Sequence, residues 1–486
     1  MLLTAVLVVH RLGPILGDPF WLDEAWVALS TTMPIGDLPW ATSSTPLGWT
    51  FLIWLLPAHG QVLRVVPWVF LVGSIFGGYA FGRFLPWPSR AWAVLAGLAG
   101  AVGALLLPAQ VLRHDLKQYT ADAAIAVLLL VLLSRLEAAY SRRRLIVLGA
   151  AVVVGMLFSH TTALVGAAVL VAVVVLRRGQ AIVFVGAVGA GMALVYIVVD
   201  GAARNGSLNN YWAPYFPSVG DLPHYLGQRL GELRMYLGVP WLLFVLLALA
   251  GVAAVARYGR PATALALGLL PLIEVAGGLG HLYPLLDLRT SHFLLVTGAI
   301  AGGIGVVGAL SWLAVALPGR WVVAAAAAVA LAAFTAFALV NWHVVSDPGP
   351  IGRQEDARAQ AAYIAAHRRP GDVILVSSSG SFAFAYYWHL DRPRIVRGGR
   401  LGIGWYVAYP PQDRIVISPG PAPDAVASAF TAARNLAGNA TLWIVRSHTD
   451  QNDEARSWNV ALAGQPVITV PVGSEPLLRL GGASSS

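Results

Sequence analysis

Two adjacent carboxylates, Asp23 and Glu24, lie between Trp21 and Trp26 just after the first apolar segment. Tryptophan rings settle at the headgroup level of a bilayer, so they would hold the acidic pair at the membrane surface. An ionised aspartate beside a hydroxyl group can accept its proton, a general-base role that contributes about 10²- to 10⁴-fold in rate. A helix cap or an exposed loop charge is the alternative. We predict a functional acidic pair, because carboxylates at a membrane edge are typical of functional sites.

The chain has one lysine, Lys117, in the polar stretch 113–122 that precedes a long apolar run. A compact ammonium group at the membrane edge suits one oxygen of a lipid phosphate. We predict this role for Lys117, with Arg113 nearby, although an anchor that snorkels to the headgroups has the same sequence pattern. Asp122 would either orient one of these two cations or belong to a polar network between helices.

Further polar and aromatic side chains fall in loops expected on the same side of the membrane. An arginine at the start of a span could make a second phosphate contact, and aromatic rings could stack on a sugar or an isoprenoid chain. These candidates are His160, Tyr211, Trp212, Tyr215, His281, Tyr283, Asp287 and Arg289. A structural turn and an interfacial aromatic belt are the alternatives. Glu274 lies inside an apolar run, where it would serve the site or pair with a neighbouring helix.

The composition predicts a membrane protein. Of the 486 residues, 57% are hydrophobic and 11% are charged, whereas soluble domains have about 25% charged residues. The net charge of +9 comes from arginines spread among short loops, which excludes the basic face of a nucleic-acid-binding protein. The absence of cysteine excludes disulfides and thiolate metal sites. The first apolar segment has no basic n-region and no cleavage site, so we expect a retained span.

Apolar runs long enough to cross a bilayer, or nearly so, recur along the first 343 residues. They lie near 1–17, 65–84, 91–107, 120–134, 145–158, 161–176, 181–199, 238–256, 262–280, 291–316 and 321–343. The run 46–58 decides the topology, because counting it as a span would move the arginine-rich loops outside, against the positive-inside rule. We therefore predict that 46–58 is interfacial and that about eleven spans place the carboxyl terminus outside. The outer segments are then 18–64, 108–119, 159–161, 200–237 and 281–290.

The composition changes after residue 343. Strand-like runs alternate in part with helical stretches, the strands being expected at 372–376, 413–418, 441–446 and 467–472. This alternation predicts a small extracytoplasmic α/β domain over 344–486, with a mostly parallel sheet and a flexible tail. No glycine-rich phosphate fingerprint opens it, so we expect no nucleotide site there.

Several short motifs follow one another in a definite order. After the acidic pair come Thr45-Pro46-Leu47, Leu63-Arg64-Val65, Leu116-Lys117-Gln118-Tyr119 with Asp122, Tyr283-Pro284 with Arg289, Tyr363-Ile364 and Gly371-Asp372. This order resembles that of the GT-C membrane glycosyltransferases. The resemblance is to bacterial relatives of the protein O-mannosyltransferases and of the transferase that adds aminoarabinose to lipid A.

The resemblance implies the GT-C fold and inverting transfer of a sugar from a polyprenyl-phosphate carrier to an acceptor outside the cytoplasmic membrane. By the resemblance, Asp23 is the catalytic base and Glu24 is its neighbour in the acidic motif of the family. Lys117 would hold the lipid phosphate together with Arg64 or Arg289. Relatives often have a histidine before two prolines where this chain has Ser44-Thr45-Pro46, so the contact made there stays open.

The other motif residues are expected to contact the substrate. They are Gln118, Tyr119, Asp122, His160, Tyr283, Tyr211 and Trp212. Some relatives use a divalent metal such as Mg²⁺ or Mn²⁺, but Asp23 and Glu24 alone are too few ligands to predict one. The Arg-, Ala-, Gly- and Val-rich composition suggests a GC-rich bacterium, in which the sugar would be mannose or arabinofuranose on decaprenyl phosphate. The acceptor would be a cell-wall glycan, a glycolipid or a protein.

The sequence leaves two other classes of function open. A transporter or flippase for a lipid-linked sugar would place its charges near mid-membrane, often in pseudo-symmetric halves, whereas here they gather on one face and no repeat is visible. A non-catalytic scaffold whose outer domain binds glycans predicts that Asp23→Asn leaves glycan structure unchanged.

Overall fold

The computed structural model describes residues 2–42, 45–57, 60–112, 114–177, 181–200, 211–316, 322–346, 355–388, 393–398, 404–447 and 453–481. The described residues up to 346 are mainly helical, and all of the described strands follow residue 372. Arg113 and Ser44 lie outside these residues.

The first part of the chain consists of helices joined by short connections. They are α1 (Leu2–Val9), α2 (Leu12–Gly17), α3 (Leu22–Ser30), α4 (Leu38–Ala41), α5 (Leu47–Trp54), α6 (Val65–Arg83), α7 (Arg90–Leu105), α8 (Pro108–Val111), α9 (Tyr119–Ala138), α10 (Arg142–Gly155), α11 (Thr162–Arg177), α12 (Ile182–Val195), α13 (Leu222–Leu237), α14 (Trp241–Arg257), α15 (Pro261–Leu279), α16 (His292–Ala316), α17 (Val322–Val340) and α18 (Trp342–Ser346). Each long apolar run of the sequence forms a helix, except that the first is divided between α1 and α2 next to His10.

Three helices among the described residues are long and apolar enough to cross a bilayer. They are Gln61–Arg83, Pro261–Leu279 and His292–Ala314, and α13 with α14, bent by 81°, would add a fourth if the pair is one span. Shorter apolar helices cover Arg90–Leu105, Thr162–Arg177, Ile182–Val198 and Ala327–Val340. The chain is a helical membrane protein, and the count of eleven spans stays a prediction.

Helix α5 occupies most of the run whose topology was in question. It has eight residues, which gives a length of about 12 Å. The hydrocarbon core of a bilayer is about 30 Å thick. The helix alone is therefore too short to cross a membrane, and the interfacial position of 46–58 stays a prediction.

Glycines allow the long helices to pack with their backbones in close contact. A Cβ atom on Gly251 of α14 would lie 2.0 Å from the carbonyl oxygen of Ala301 in α16. On another face of α16, a Cβ atom on Gly303 would lie 2.3 Å from the carbonyl oxygen of Ala99 in α7. Small residues at helix interfaces are typical of membrane proteins, where packing and not hydrophobic burial drives helix association.

The last part of the chain forms a sheet with helices. Its elements are α19 (Ala357–His367), β1 (Val373–Val376), α20 (Ser381–Trp388), β2 (Arg394–Arg397), β3 (Trp405–Ala408), β4 (Ile415–Ile417), α21 (Pro423–Ala437), β5 (Leu442–Val445), α22 (Asp453–Leu462), β6 (Val467–Val470) and β7 (Leu477–Leu480). Five strands are arranged in the order β4-β1-β5-β7-β6, and β2 and β3 form a separate antiparallel hairpin.

The five-stranded sheet is mixed, whereas the sequence predicted a mostly parallel one. β1 pairs in parallel with β4 and β5, with Ile374 opposite Ile415 and Trp443. β7 is antiparallel to both β5 and β6. Residues 471–476 between β6 and β7 are too few for a parallel crossover, which needs a dozen or more residues, so the two strands form a hairpin.

Side chains of the α/β part form hydrogen bonds with backbone groups in the segment from residue 20 to residue 60. The Tyr387 hydroxyl accepts the N–H of Phe20 at 2.5 Å, and the Tyr386 hydroxyl accepts the N–H of Gly60 at 3.0 Å. Trp405 Nε1 donates to the carbonyl oxygen of Ala41 at 3.0 Å. Helix α20 packs on α3. The acidic pair on α3 is therefore held from both parts of the chain.

Candidate active site

The side chains of Asp23, Lys117 and Arg289 meet, although they come from three distant parts of the chain. Lys117 Nζ lies 3.8 Å from Asp23 Oδ1, and Arg289 Nη1 lies 3.4 Å from Asp23 Oδ2. The Lys117 side chain is 4% exposed, whereas those of Asp23 and Arg289 are 15% and 17% exposed. Asp23 and Lys117 are therefore in contact, as expected from the sequence. The partly exposed side chains of the cluster are those of Asp23 and Arg289.

Burial and neighbouring charges act in opposite directions on the two cations. Burial lowers the pKa of the Lys117 ammonium below its usual value, and the Asp23 carboxylate opposes this effect. Burial also lowers the pKa of Arg289, but its neighbours, above all Tyr119 and Asp23, raise it above the usual value. Arg289 is therefore a permanent charge, whereas the charge of Lys117 depends on the groups around it.

Asp23 and Glu24 occupy the first turn of α3, where the helix dipole favours negative charge. Successive residues of a helix are rotated by about 100°, so the two carboxylates face different partners. Asp23 faces Lys117 and Arg289, whereas Glu24 faces Arg64. The two carboxylates therefore do not act on one group together.

Arg64 is fully engaged inside the protein. Its Nε atom donates to Glu24 Oε1 at 2.7 Å, and its Nη2 atom donates to Glu24 Oε2. Nη1 donates to the carbonyl oxygens of Ile15 and Asp18 at 2.8 and 2.7 Å, and Nη2 donates to that of Pro19 at 3.0 Å. A guanidinium has five N–H donors, and all five are used here. This geometry favours a positioning role for Arg64 over the phosphate contact expected from the sequence.

The segment that carries Lys117 is fixed by Trp49 of α5. The Trp49 indole Nε1 donates to the carbonyl oxygen of Leu116 at 2.7 Å, and its backbone N–H binds the carbonyl oxygen of Leu157 at 3.2 Å. Gly48 makes this approach possible, because a Cβ atom there would lie 2.5 Å from the same Leu157 oxygen. Helix α5 thus sets the position of the residue before Lys117.

The loop that carries Arg289 is held by two carboxylates. Glu274 of α15 is fully buried and accepts the N–H of Leu286 at 3.2 Å and the hydroxyl of Ser291. Leu286 has a φ of 51°, a left-handed conformation that a leucine adopts only when its surroundings impose it. Asp287 Oδ2 accepts the backbone N–H groups of Arg289 and of the next residue at 2.9 and 3.1 Å. Glu274 therefore fixes the loop of the site.

Tyr211 and Trp212 lie against Arg289. Arg289 Nη2 donates to the Tyr211 hydroxyl, and the guanidinium carbon is 5.6 and 5.4 Å from the ring centroids of Tyr211 and Trp212. Tyr215 continues the aromatic group, with its ring centroid 5.4 Å from that of Trp212. Cations within about 6 Å of an aromatic face are attracted to it. The aromatic pair expected to contact the substrate is thus beside the cation cluster.

Gln118, Tyr119 and Asp122 are all buried around the start of α9. Tyr119 is close enough to Arg289 and Asp23 to interact with both charges. Asp122 lies beside Ser159 and Thr161, which flank His160 in the turn before α11. Gln118 and Tyr119 therefore adjoin Lys117. Asp122 lies about one turn farther along α9, next to the turn that contains His160.

Tyr283 lies in the loop of Arg289 and donates its hydroxyl proton to the carbonyl oxygen of Thr290 at 3.0 Å.

Two residues near the site, Trp26 and Asp115, were not predicted from the sequence to have the contacts that they make. Trp26 lies beneath the Lys117 ammonium, with its ring centroid 4.5 Å from Nζ. Asp115 is buried and is an electrostatic neighbour of both Glu24 and Lys117. Its position two residues before the single lysine was the available signal.

The described residues do not fit a divalent metal. No group of three or more histidine, aspartate or glutamate side chains converges within the part of the chain that the structure describes. The adjacent acidic residues point apart, because Glu24 is saturated by Arg64 while Asp23 faces Lys117 and Arg289. Two cations at Asp23 also oppose the binding of a third positive charge there.

The whole fold is similar to that of solved membrane transferases. ArnT from Cupriavidus metallidurans bound to undecaprenyl phosphate gives a TM-score of 0.56 and 14% sequence identity over 99% of this chain and 98% of that one. The Archaeoglobus fulgidus oligosaccharyltransferase in complex with zinc and sulfate gives a TM-score of 0.55 and 14% identity over 91% of this chain and 67% of that one.

A third similar structure is that of the archaeal oligosaccharyltransferase AglB from Archaeoglobus fulgidus, in complex with an inhibitory peptide and a dolichol phosphate. It gives a TM-score of 0.52 and 14% identity over 91% of this chain and 68% of that one. No family model and no curated protein matches this chain by sequence. Likeness at this identity concerns the fold alone: the chain has the fold of ArnT and of the archaeal oligosaccharyltransferase, which is the GT-C fold that the resemblance implied.

Proposed function

We propose that this protein transfers a sugar from a polyprenyl-phosphate carrier to an acceptor hydroxyl on the outer side of the cytoplasmic membrane. The observation that carries the proposal is the contact of one carboxylate, Asp23, with two cations, Lys117 and Arg289. The fold supports it, because the similar structures of ArnT and AglB hold undecaprenyl phosphate and a dolichol phosphate.

In the proposed reaction, the acceptor oxygen attacks the anomeric carbon on the face opposite the phosphate. The new bond between this oxygen and the carbon forms as the bond between the carbon and the phosphate oxygen breaks, and the configuration inverts. The acceptor proton passes to the Asp23 carboxylate. The electron pair of the broken bond leaves with the polyprenyl phosphate, which gains one negative charge.

Lys117 and Arg289 would stabilise the negative charge that the phosphate gains. Fixed positive charges in a water-poor site stabilise a developing anion more than water does. Their contacts with Asp23, at 3.4 and 3.8 Å, are longer than the about 2.7–2.9 Å of a charge-assisted hydrogen bond. Exchanging the carboxylate for a phosphate oxygen therefore breaks no short bond. Lys117 and Arg289 hold the donor phosphate in this mechanism, and Asp23 is left to act on the acceptor.

The surrounding residues take supporting roles in the proposal. The pair of Glu24 and Arg64 holds the start of α3, so that Asp23 keeps its place. The remaining candidates contact the donor sugar, the lipid chain or the acceptor, and they are Gln118, Tyr119, Asp122, His160, Tyr283, Tyr211 and Trp212. We also propose that the α/β part lies outside the membrane and that the acceptor is a cell-wall glycan, a glycolipid or a protein.

The test is sugar transfer by the purified protein. Polyprenyl phosphates carrying radiolabelled mannose or arabinofuranose are offered with a membrane extract as acceptor, and release of the carrier is measured. Asp23→Asn is expected to lower kcat about 10²- to 10⁴-fold with little change in the donor KM. Lys117→Ala is expected to raise the donor KM. Asp424→Asn, an exposed carboxylate in the first turn of α21, is the control and should leave both constants unchanged.

Two outcomes would contradict the proposal. Wild-type turnover in a folded Asp23→Asn protein would exclude Asp23 as the base. Movement of intact lipid-linked sugar across proteoliposome membranes, without cleavage of the phosphate bond, would support the transporter alternative. Comparing the glycolipids, glycoproteins and cell-wall polysaccharides of a deletion strain with those of its parent would then identify the acceptor.

A further inference from the structure

The Lys117 ammonium rests on an aromatic ring as well as on Asp23. Its Nζ atom lies 4.5 Å from the ring centroid of Trp26. Trp26 is on α3, three residues after Asp23 and therefore on nearly the same face of the helix. One helix thus presents to the lysine both a carboxylate and an aromatic face, and the position of the Trp26 ring sets one wall of the cation site.

Trp26 also packs against two aromatic rings of the α/β part. Phe382 of α20 stacks on Trp26, with ring centroids 6.0 Å apart and an interplanar angle of 26°. Trp405 of β3 has its centroid 6.4 Å from that of Trp26 and meets Phe382 edge to face at 5.0 Å. All three rings are buried. We call Trp26, Phe382 and Trp405 the aromatic column.

The Trp26 ring is oriented by this packing and not by a hydrogen bond. Its indole Nε1 atom is buried and has no hydrogen-bond partner among the residues that the structure describes. Trp405, in contrast, is fixed by its own Nε1 bond to the carbonyl oxygen of Ala41 and is fully buried. The fixed member of the column therefore belongs to the α/β part, while the member in contact with Lys117 depends on it.

We propose that the aromatic column positions the Lys117 ammonium for the donor phosphate, so that Phe382 and Trp405 of the α/β part are positioning residues of the phosphate site. The inference rests on the phosphate role proposed for Lys117. In this arrangement the α/β part is a component of the donor site.

The test measures binding of undecaprenyl phosphate in detergent to the full-length protein, by quenching of tryptophan fluorescence or by calorimetry. Trp26→Leu and Trp405→Leu are expected to raise its dissociation constant roughly 2- to 30-fold, the range of one cation–π contact. Trp26→Phe keeps an aromatic face and should restore most of the loss. In the transfer assay the donor KM should rise more than kcat falls.

Trp458→Leu is the matched control. Trp458 is as fully buried as Trp405 and lies in the same part of the chain, but in a separate hydrophobic cluster against α21. Its replacement should lower the stability of the α/β part by a similar amount and leave undecaprenyl phosphate binding unchanged. Equal losses of binding in Trp405→Leu and Trp458→Leu would overturn the proposal, since they would follow from general loosening alone.

A double-mutant cycle separates this inference from the proposed function. If Lys117→Ala leaves binding unchanged, the phosphate role of Lys117 fails and the inference fails with it. If Lys117→Ala weakens binding but Trp405→Leu does not, the inference alone fails. If both weaken binding, their effects should be less than additive, because the column acts through the lysine. Should Trp405→Leu not fold, Phe382→Leu, which removes the stacked ring from Trp26, decides in its place.

Discussion

Replacement of Arg64 by lysine should loosen the segment that carries Asp23 without removing a charge. Arg64 directs five N–H donors to Glu24 and to the carbonyl groups of residues 15, 18 and 19. A lysine ammonium has three donors and cannot form the bidentate pair. At least two hydrogen bonds are therefore lost in a buried region, and the start of α3 is no longer clamped.

The expected cost follows from those two bonds. A hydrogen bond to a charged group contributes about 1.5–3 kcal/mol, so two of them correspond to a loss of about 3–6 kcal/mol in the free energy of unfolding. The Arg64 and Glu24 side chains are only 4% and 2% exposed, so solvent does not screen the interaction. Glu24→Gln leaves the guanidinium without its counter-ion and should cost about 3–5 kcal/mol. Both variants should lower kcat, because Asp23 is displaced, and should leave the donor KM near that of the wild type.

Thermal unfolding in detergent, followed by tryptophan fluorescence at one heating rate, measures the loss of stability, and the transfer assay gives kcat and KM. Arg144→Lys is the control, because Arg144 donates to two carbonyl groups at the exposed surface. Its unfolding temperature should match that of the wild type. If Arg64→Lys also unfolds at the wild-type temperature while its donor KM rises, Arg64 binds the phosphate, and its proposed role in holding the start of α3 is refuted.

Three further predictions concern residues in and around the site. Glu274→Ala should raise the donor KM about tenfold, because the loop that positions Arg289 loses its hydrogen bonds to Glu274. A tenfold change corresponds to about 1.4 kcal/mol of binding free energy. Donor binding as tight as in the wild type would exclude a role for Glu274. Gly48→Ala should cost about 1–3 kcal/mol of stability through the clash with Leu157, and an unchanged unfolding temperature would contradict this. Burial lowers the pKa of Lys117 below its usual value of 10.5. As the pH rises through the pKa of Lys117, the ammonium loses its proton and its charge, so the donor KM should rise. Lys117→Arg keeps its charge and should show no such rise.

Asp23 and Lys117 could be predicted to meet because each is exceptional in its surroundings. Lys117 is the single lysine in a chain that otherwise uses arginine for its permanent positive charges, and Asp23 follows the first apolar segment between aromatic rings. The different partners of Asp23 and Glu24 could not be predicted. Adjacency in the sequence suggests a shared role, whereas the rotation of about 100° per helical residue gives Glu24 a different partner, Arg64.

The role of Trp26 also needed the structure. A tryptophan beside the first apolar segment is typical of an interfacial anchor, and no local signal indicates that Phe382 and Trp405 pack on it from the far end of the chain. The antiparallel pairing of β6 and β7, in contrast, had a signal in the sequence. Residues 471–476 include two prolines and one glycine, which is the composition of a turn or a short loop between strands.

The bond from Phe20 to Tyr387 has a consequence for how this protein is made. The two residues are 367 positions apart, so the ribosome must add most of the chain before the partner of the first loop exists. A nascent chain released from the translocon before residue 405 would lack Trp405 and the bond to Ala41 as well. Premature termination should therefore give membrane-inserted polypeptides in which residues 20 and 41 lack their hydrogen bonds to the last part of the chain.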